Sequence, residues 1–117
     1  MISGFGTQRK LRFRWQFRRF FGEREVFRLQ ECVVFRIPNN LNGYRLGMTF
    51  KARASSVDRN KVRRQVRETF RQLEPFLGSF DYNVVIPQQK SISYVYALRL
   101  RDNLKHEFKS ALRKSHP

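Results

Sequence analysis

Apolar residues recur along this chain in two different periods, and the switches between them predict the order of its elements. From Leu11 to Phe21 the period is helical: Phe13, Phe17, Phe20 and Phe21 follow the spacing of one helix face, with Arg12, Arg14, Arg18 and Arg19 interleaved. Gly22 supplies the stop. Glu31 to Ile37 is short, rich in β-branched residues and closed by Pro38, so it reads as a strand. Arg45 to Phe50 reads as its partner, and the segment P-N-N-L-N-G between them predicts a hairpin with a long loop. A second helix starts near Ser56 or Asp58, either of which can cap it, and weakens before Pro75. Asn83 to Ile86, ended by Pro87, is another strand. A last helix follows Ser91 to Ser93, with Ala97, Leu100, Leu104, Phe108 and Ala111 on one face and Arg99, Arg101, Lys105 and Lys109 elsewhere. Helix, strands, helix, strand, helix makes an α+β sandwich, with helices on one sheet face and the other face available.

The second helix says the most about function. Projected at about 100° per residue, Val62, Val66, Phe70 and Leu73 share one arc and must be buried. Asn60, Arg63, Arg64, Arg67 and Arg71 share a neighbouring arc, flanked by Arg59 and Lys61. Cations held so close on a rigid face repel one another, and only Glu68 and Glu74 are near to offset them. An external polyanion is the natural partner, and a nucleic acid is the obvious one.

Composition points the same way. In 117 residues, 25 Lys and Arg face nine Asp and Glu, a formal charge of +16, while 40% of residues are apolar. That is material for one core, so a single domain is expected from residue 11 to 117, preceded by a flexible segment, 1–10, that carries Ser3, Gly4, Gly6 and Thr7. Phosphate backbones suit such a charge. A basic membrane-surface helix would not need the strands. Cys32 is the single cysteine, which excludes an internal disulfide and reads as a buried thiol. With no membrane-length apolar run and no secretory leader in M-I-S-G-F-G-T, a cytoplasmic protein is expected.

No chemistry of its own is visible in the chain. Its carboxylates stand mostly beside Arg or Lys, with Asp58 read as a helix cap and Glu68 as a partner for Arg64 or Arg71. His106 and His116, with one cysteine, do not make a zinc site of ordinary spacing. There is no Gly-rich phosphate loop. No catalytic residue, metal or cofactor is assigned to the protein.

The run R-N-K-V-R-R-Q-V-R-E at 59–68, after the strand R-L-G-M-T-F, resembles the RNR motif of the bacterial ribonuclease P protein component. Leu11, Phe17 and Phe21 resemble that family's first helix, C-V-V-F its leader-contacting strand, and F-D-Y-N-V-V-I-P the strand after the motif, so the likeness covers about residues 9–113. It implies a central, mostly antiparallel four-stranded sheet with about three helices and a left-handed βαβ crossover. That hand contradicts the usual rule and does not follow from the sequence pattern. It also implies a division of labour, in which a partner RNA holds Mg2+ and cleaves the 5′ leader from precursor tRNA while the protein grips RNA.

Carried over residue by residue, the resemblance assigns Arg59, Asn60, Lys61, Arg63, Arg64 and Arg67 to the RNA-facing motif. Phe17, Phe21, Val33 and Phe35, with Arg63, go to the cleft for the single-stranded leader. Arg71 joins the RNA-facing set from the charge pattern, as do Lys51 and Arg53 in the segment before the helix. Lys61 stands where the family has arginine, which keeps charge and loses the bidentate fork. Phe35 replaces a tyrosine. The segment 51–55 is one residue short with Ala54 in place of glycine, and Gln88 replaces a basic residue. The alternative is a ribosomal-type structural RNA-binding protein, for which an aromatic cleft beside the motif would have no use.

Overall fold

A computed structural model describes residues 9–114. Chain order is α1 (Arg14–Arg18), a 3-10 turn (Arg19–Phe21), β1 (Glu25–Arg28), β2 (Val33–Pro38), β3 (Arg45–Phe50), α2 (Ser56–Gln72), α3 (Glu74–Leu77), β4 (Phe80–Ile86), α4 (Tyr94–Asn103), a π-helical turn (Leu104–Phe108) and α5 (Lys109–Lys114). The four strands form one sheet in the order β1-β2-β4-β3. Pairings β1–β2 and β2–β4 are antiparallel and β3–β4 is parallel, so the sheet is mostly antiparallel and the fold is α+β.

The expected hairpin between β2 and β3 does not form. β4 lies between them, pairing Val34 with Val84 on one side and Met48 with Val84 on the other. The reason is burial. From Asp81 to Ile86 every residue of β4 is buried on both faces, so β4 takes a central place and displaces β3 to the edge. The loop meant for the hairpin instead crosses the end of β4, where Asn39 N donates to Ser79 O at 3.2 Å. β3 returns to β4 through α2 and α3, which makes a parallel βαβ crossover. β1 escaped the sequence reading because this edge strand is mostly exposed and its apolar pair, Val26 and Phe27, does not alternate with polar residues.

α2 and α4 cover one sheet face. Val62, Val66 and Phe70 of α2 and Leu73 at its C-cap are buried against Val34, Leu46, Tyr82, Val84 and Ile86. Phe70 and Phe108 each pack against the Tyr82 ring, with centroids 5.5 and 6.1 Å away. Ser55 caps α2, its hydroxyl accepting from Asp58 N at 3.1 Å. The expected caps, Ser56 and Asp58, instead occupy the first turn, where the Asp58 carboxylate meets the helix dipole favourably. In the last helix, Ala97, Leu100, Leu104 and Phe108 are buried as the spacing predicts. The π turn then inserts an extra residue into the helical phase, so Leu112 is buried in place of the expected Ala111.

The other face carries a smaller cluster, in which Leu11, Phe20 and Ile37 are joined by the half-buried Phe17 and Phe35. One ionic hub fixes it. Asp81, fully buried, accepts from Arg45 at 2.8 and 2.7 Å, from Arg19 Nη1 at 2.7 Å and from Asn39 Nδ2 at 3.0 Å. Of the segment expected to be flexible, 1–8 lies outside the described residues, as does His116. Arg9 and Lys10, at its end, are held: Arg9 Nη1 donates to Tyr44 O at 3.1 Å, and Lys10 bridges to Leu46.

Two consequences are measurable. Val66→Asp leaves an unpaired charge in the core and should cost at least about 3 kcal/mol, seen as loss of the cooperative melt by circular dichroism; an unchanged melting temperature would mean α2 faces the other way. Burial, with Glu31 beside it, pushes the Cys32 thiol up from 9.0 to about 12, and burial pushes the Tyr44 and Tyr82 phenols up from 10.0 to about 12. Through that window the unfolded chain has released protons the native state keeps, so stability falls as pH rises from about 9 towards 12. Tyrosinate absorbance of these phenols should therefore appear together with unfolding; a gradual rise in a still-folded protein would contradict their burial.

Candidate nucleic-acid interface

Seventeen residues of uninterrupted helix let α2 present a buried face and a cationic face side by side. Asn60 and Arg64 are exposed, and Arg63, Arg67 and Arg71 are half-buried along the adjoining arc. Each has a definite setting. Asn60 Oδ1 accepts from Arg63 Nη1 at 3.3 Å, and the Arg63 guanidinium stands 5.2 Å from the Phe50 ring. Arg71 pairs with Glu68 one turn earlier. Arg59, Arg63, Arg64 and Arg67 have no carboxylate partner among the described residues. Partial desolvation, and then the neighbouring Arg63 charge, hold the Arg67 guanidinium below the usual arginine range. These cations are poised for an anion from outside.

Beside this arc runs a groove of about 240 Å³ whose walls include Lys10, Arg12, Phe17, Met48, Arg63 and Arg67. It arises because the N-terminal segment adds to the outer edge of β3, with Leu11 N donating to Leu46 O at 2.9 Å, before α1 turns back across the sheet. Phe17 packs so close to β3 that a Cβ at Gly47 would come to 2.7 Å from Cε1 and Cζ of its ring, so any larger residue there would have to displace the ring. An aromatic ring and three guanidinium-bearing side chains thus line one opening.

The other residues singled out in the sequence fall as follows. Phe35 is half-buried in the cluster with Phe17, its ring 4.3 Å beneath the Arg24 guanidinium. Val33 lies two residues along the same strand face. Phe21 does not join them. It is 82% exposed and borders a separate depression with Glu23, Arg24, Glu25 and Pro38. The last turn of the first helix tightens to 3-10 geometry, which eclipses Phe20 over Phe17 and rotates Phe21 away. Phe20, 3% exposed, belongs to the core. Phe13, placed with the apolar arc by its spacing, is half exposed at the N-cap, and the helix begins at Arg14 instead of Leu11. Lys51 and Arg53 are exposed on the approach to α2. The Lys61 ammonium stands 5.9 Å from the Tyr94 ring, and the half-buried Arg59 has its Nε without a hydrogen-bond acceptor among the described residues.

Two features had no sequence signal at the level of single elements. Arg19, Arg36 and Arg45 look like surface cations in the sequence, yet they are absorbed by Asp81 and Glu25, with Arg36 4% exposed and bound to Glu25 at 2.7 and 3.0 Å. The one clue was Asp81 itself, a carboxylate set between Phe80 and Tyr82. A second cationic surface also lies at the far end of the helical layer, where Lys105, His106, Lys109, Arg113 and Lys114 surround an open depression of about 790 Å³.

The sequence model of the family described as Ribonuclease P matches residues 5–114. A ribonuclease P protein component from Exiguobacterium is 30% identical over 97 residues, covering 82% of this chain and 83% of that protein. One from Thermotoga petrophila is 34% identical over 91 residues, covering 77% and 78%. Among solved structures, the Thermotoga maritima RNase P protein superposes with a TM-score of 0.69 at 28% identity, covering 84% of this chain and 97% of that one. The Staphylococcus aureus RNase P protein gives 0.72 at 22% identity over 88% and 94%.

If the α2 arc binds phosphate, Arg63→Ala and Arg67→Ala should each weaken RNA binding and lower the slope of log affinity against log salt by about one, with the fold unchanged. Equal salt slopes for variant and parent would remove these residues from the interface.

Proposed function

The chain belongs to the bacterial ribonuclease P protein component family, and we propose that it docks on the catalytic RNA of ribonuclease P and holds the 5′ leader of precursor tRNA. The α2 arc of Arg59, Asn60, Lys61, Arg63, Arg64, Arg67 and Arg71, with Lys51 and Arg53 beside it, supplies the phosphate contacts. The groove beside it takes unpaired leader nucleotides, with Phe17, Phe35, Val33 and Arg63 as its contacts. Phe21, turned away from this group, is left out of it. In this proposal hydrolysis belongs to the RNA subunit, which would hold the Mg2+ that supplies Lewis-acid chemistry, and the protein's residues position and neutralise the substrate. No obligatory protein partner is part of the proposal.

One observation carries this reading: Phe17, Arg63 and Arg67 line a single opening. Unpaired nucleotides require that pairing, since a ring stacks a base of any identity and a guanidinium meets the adjoining phosphate. A ribosomal protein bound to duplex backbone would need the cations and not the ring. At Lys61 the ammonium keeps the charge of the motif as a point donor and loses the planar fork. At Phe35 the missing hydroxyl leaves stacking without a hydrogen bond to a base edge. Both differences favour binding tolerant of leader sequence. The protein is proposed to act in the cytoplasm, where precursor tRNA is made; among the described residues no helix is long and apolar enough to cross a membrane.

Reconstitution tests the proposal. Added to a bacterial ribonuclease P RNA at a magnesium concentration too low for the RNA alone, the protein should restore cleavage of precursor tRNA, and the RNA alone or the protein alone should not cleave. Phe17→Ala should reduce affinity for leader-bearing precursor by about fivefold or more and leave mature tRNA unaffected, as expected for one lost stacking contact. Cleavage by the protein without RNA, or no stimulation of the RNA, would overturn the assignment.

A further inference from the structure

Phe13 and Trp15 stand outside the groove, 53% and 59% exposed, with ring centroids 6.5 Å apart and planes within 6° of parallel. Two large rings side by side in water are costly unless something covers them. Neither belongs to the clusters on either face of the sheet. Their placement is fixed by the backbone. Gln16, 5% exposed, accepts through Oε1 from Arg12 N at 2.6 Å and Phe13 N at 2.9 Å, and its backbone N–H donates to Phe13 O at 2.9 Å. The backbone that carries the two rings is therefore fixed at the start of α1 by a buried amide side chain, which lowers the ordering cost of binding a ligand there.

Charge decides what that ligand is. Arg12, Arg14 and Arg18 flank the rings in sequence and no Asp or Glu occurs between Arg9 and Gly22. The Arg12 guanidinium stands 5.5 Å from the Phe13 ring while Arg12 also lines the groove that contains Phe17. Arg12 is thus a bridge from the groove to the exposed rings. A polyanion leaving the groove passes that guanidinium and reaches two parallel aromatic faces, which is the arrangement that unpaired nucleotides need: phosphate on the cation, base on the ring. A lipid surface would call for aliphatic residues beside the rings, and none occurs from Arg12 to Arg19.

We infer that Phe13 and Trp15 form a second base-stacking platform, continuous with the groove through Arg12, which extends the grip on an unpaired RNA strand beyond Phe17. This rests on the leader-binding reading of the groove. Stacking through rings carries no base identity, so the platform adds affinity and length of footprint without sequence preference.

Trp15 is the chain's single tryptophan, so its emission reports on this site alone. Titrating the full chain with a single-stranded oligoribonucleotide should quench Trp15 emission over the same concentrations that raise the anisotropy of the labelled oligonucleotide. An abasic ribose-phosphate oligomer of equal charge should leave the emission unchanged. Phe13→Ala and Trp15→Leu should each weaken binding of the oligoribonucleotide about tenfold, the loss of one stacked base, and leave duplex RNA affinity as it was. Unchanged emission at saturating oligoribonucleotide, equal quenching by the abasic oligomer, or parental affinity in both variants would overturn the platform. Failure of the underlying reading looks different: a reconstituted holoenzyme that does not distinguish precursor from mature tRNA removes the leader from the groove, whatever Trp15 emission does in the isolated chain.

Discussion

Asp81 is a carboxylate with no solvent contact, and the placing of the groove depends on it. Its two oxygens receive Arg45 from β3, Arg19 from the turn after α1 and Asn39 from the loop between β2 and β3. Burying one carboxylate is expensive, and its removal from such a site typically costs more than the pair itself contributes, because the guanidiniums remain without an acceptor. The gain is geometric. Arg19 also donates to Pro38 O at 2.8 Å, so the end of the first helix is tied to the strand end and to the central strand at once. That fixes where α1 crosses the sheet, and hence where Phe17 meets Gly47.

A chain of charge +16 has to fold against its own repulsion. It does so by sorting its arginines. Arg19, Arg36 and Arg45 are consumed internally, each by a carboxylate within 2.7 Å, and act as cross-links between segments distant in sequence. Arg36 also lies between the Phe27 and Phe80 rings, at 5.1 and 4.1 Å, and so serves as a packing residue with a charged head. Arg59, Arg63, Arg64 and Arg67 are left to solvent and to each other. The acids are spent where they hold the fold, and the interface is cationic by what remains.

This sorting also explains what the sequence could and could not disclose. α2 was legible in both its buried and its cationic faces because one helical period persists over its whole length, and periodicity is a local property. Pairing is not. The run at Arg45 to Phe50 was correctly a strand, but its neighbour was decided by β4, whose two buried faces demand the middle of the sheet. Phe21 and Ala111 were misplaced for a shared reason, since a 3-10 turn and a π turn each change the angle per residue and shift every later side chain around the axis. The internal role of Arg19 and Arg45 required knowing that residues 36 and 62 positions away would arrive at the same point. Phe13 differs the other way: its spacing reads as part of the apolar face, and the fold leaves it outside beside Trp15.

Arg63 and Arg67 show how the interface and the core cooperate. They sit one helical turn apart on a face that adjoins the one locked by Val62, Val66 and Phe70, so their backbone positions are fixed by the packing of the helix. Partial desolvation, and then their mutual repulsion, already weakens the hold of Arg67 on its proton. In the proposed reading, a phosphate entering between them would offset that repulsion and supply charge-assisted hydrogen bonds. The packing that keeps Val66 dry is therefore the same packing that makes the guanidinium pair receptive, and the groove beside it inherits both its shape and its charge from one helix.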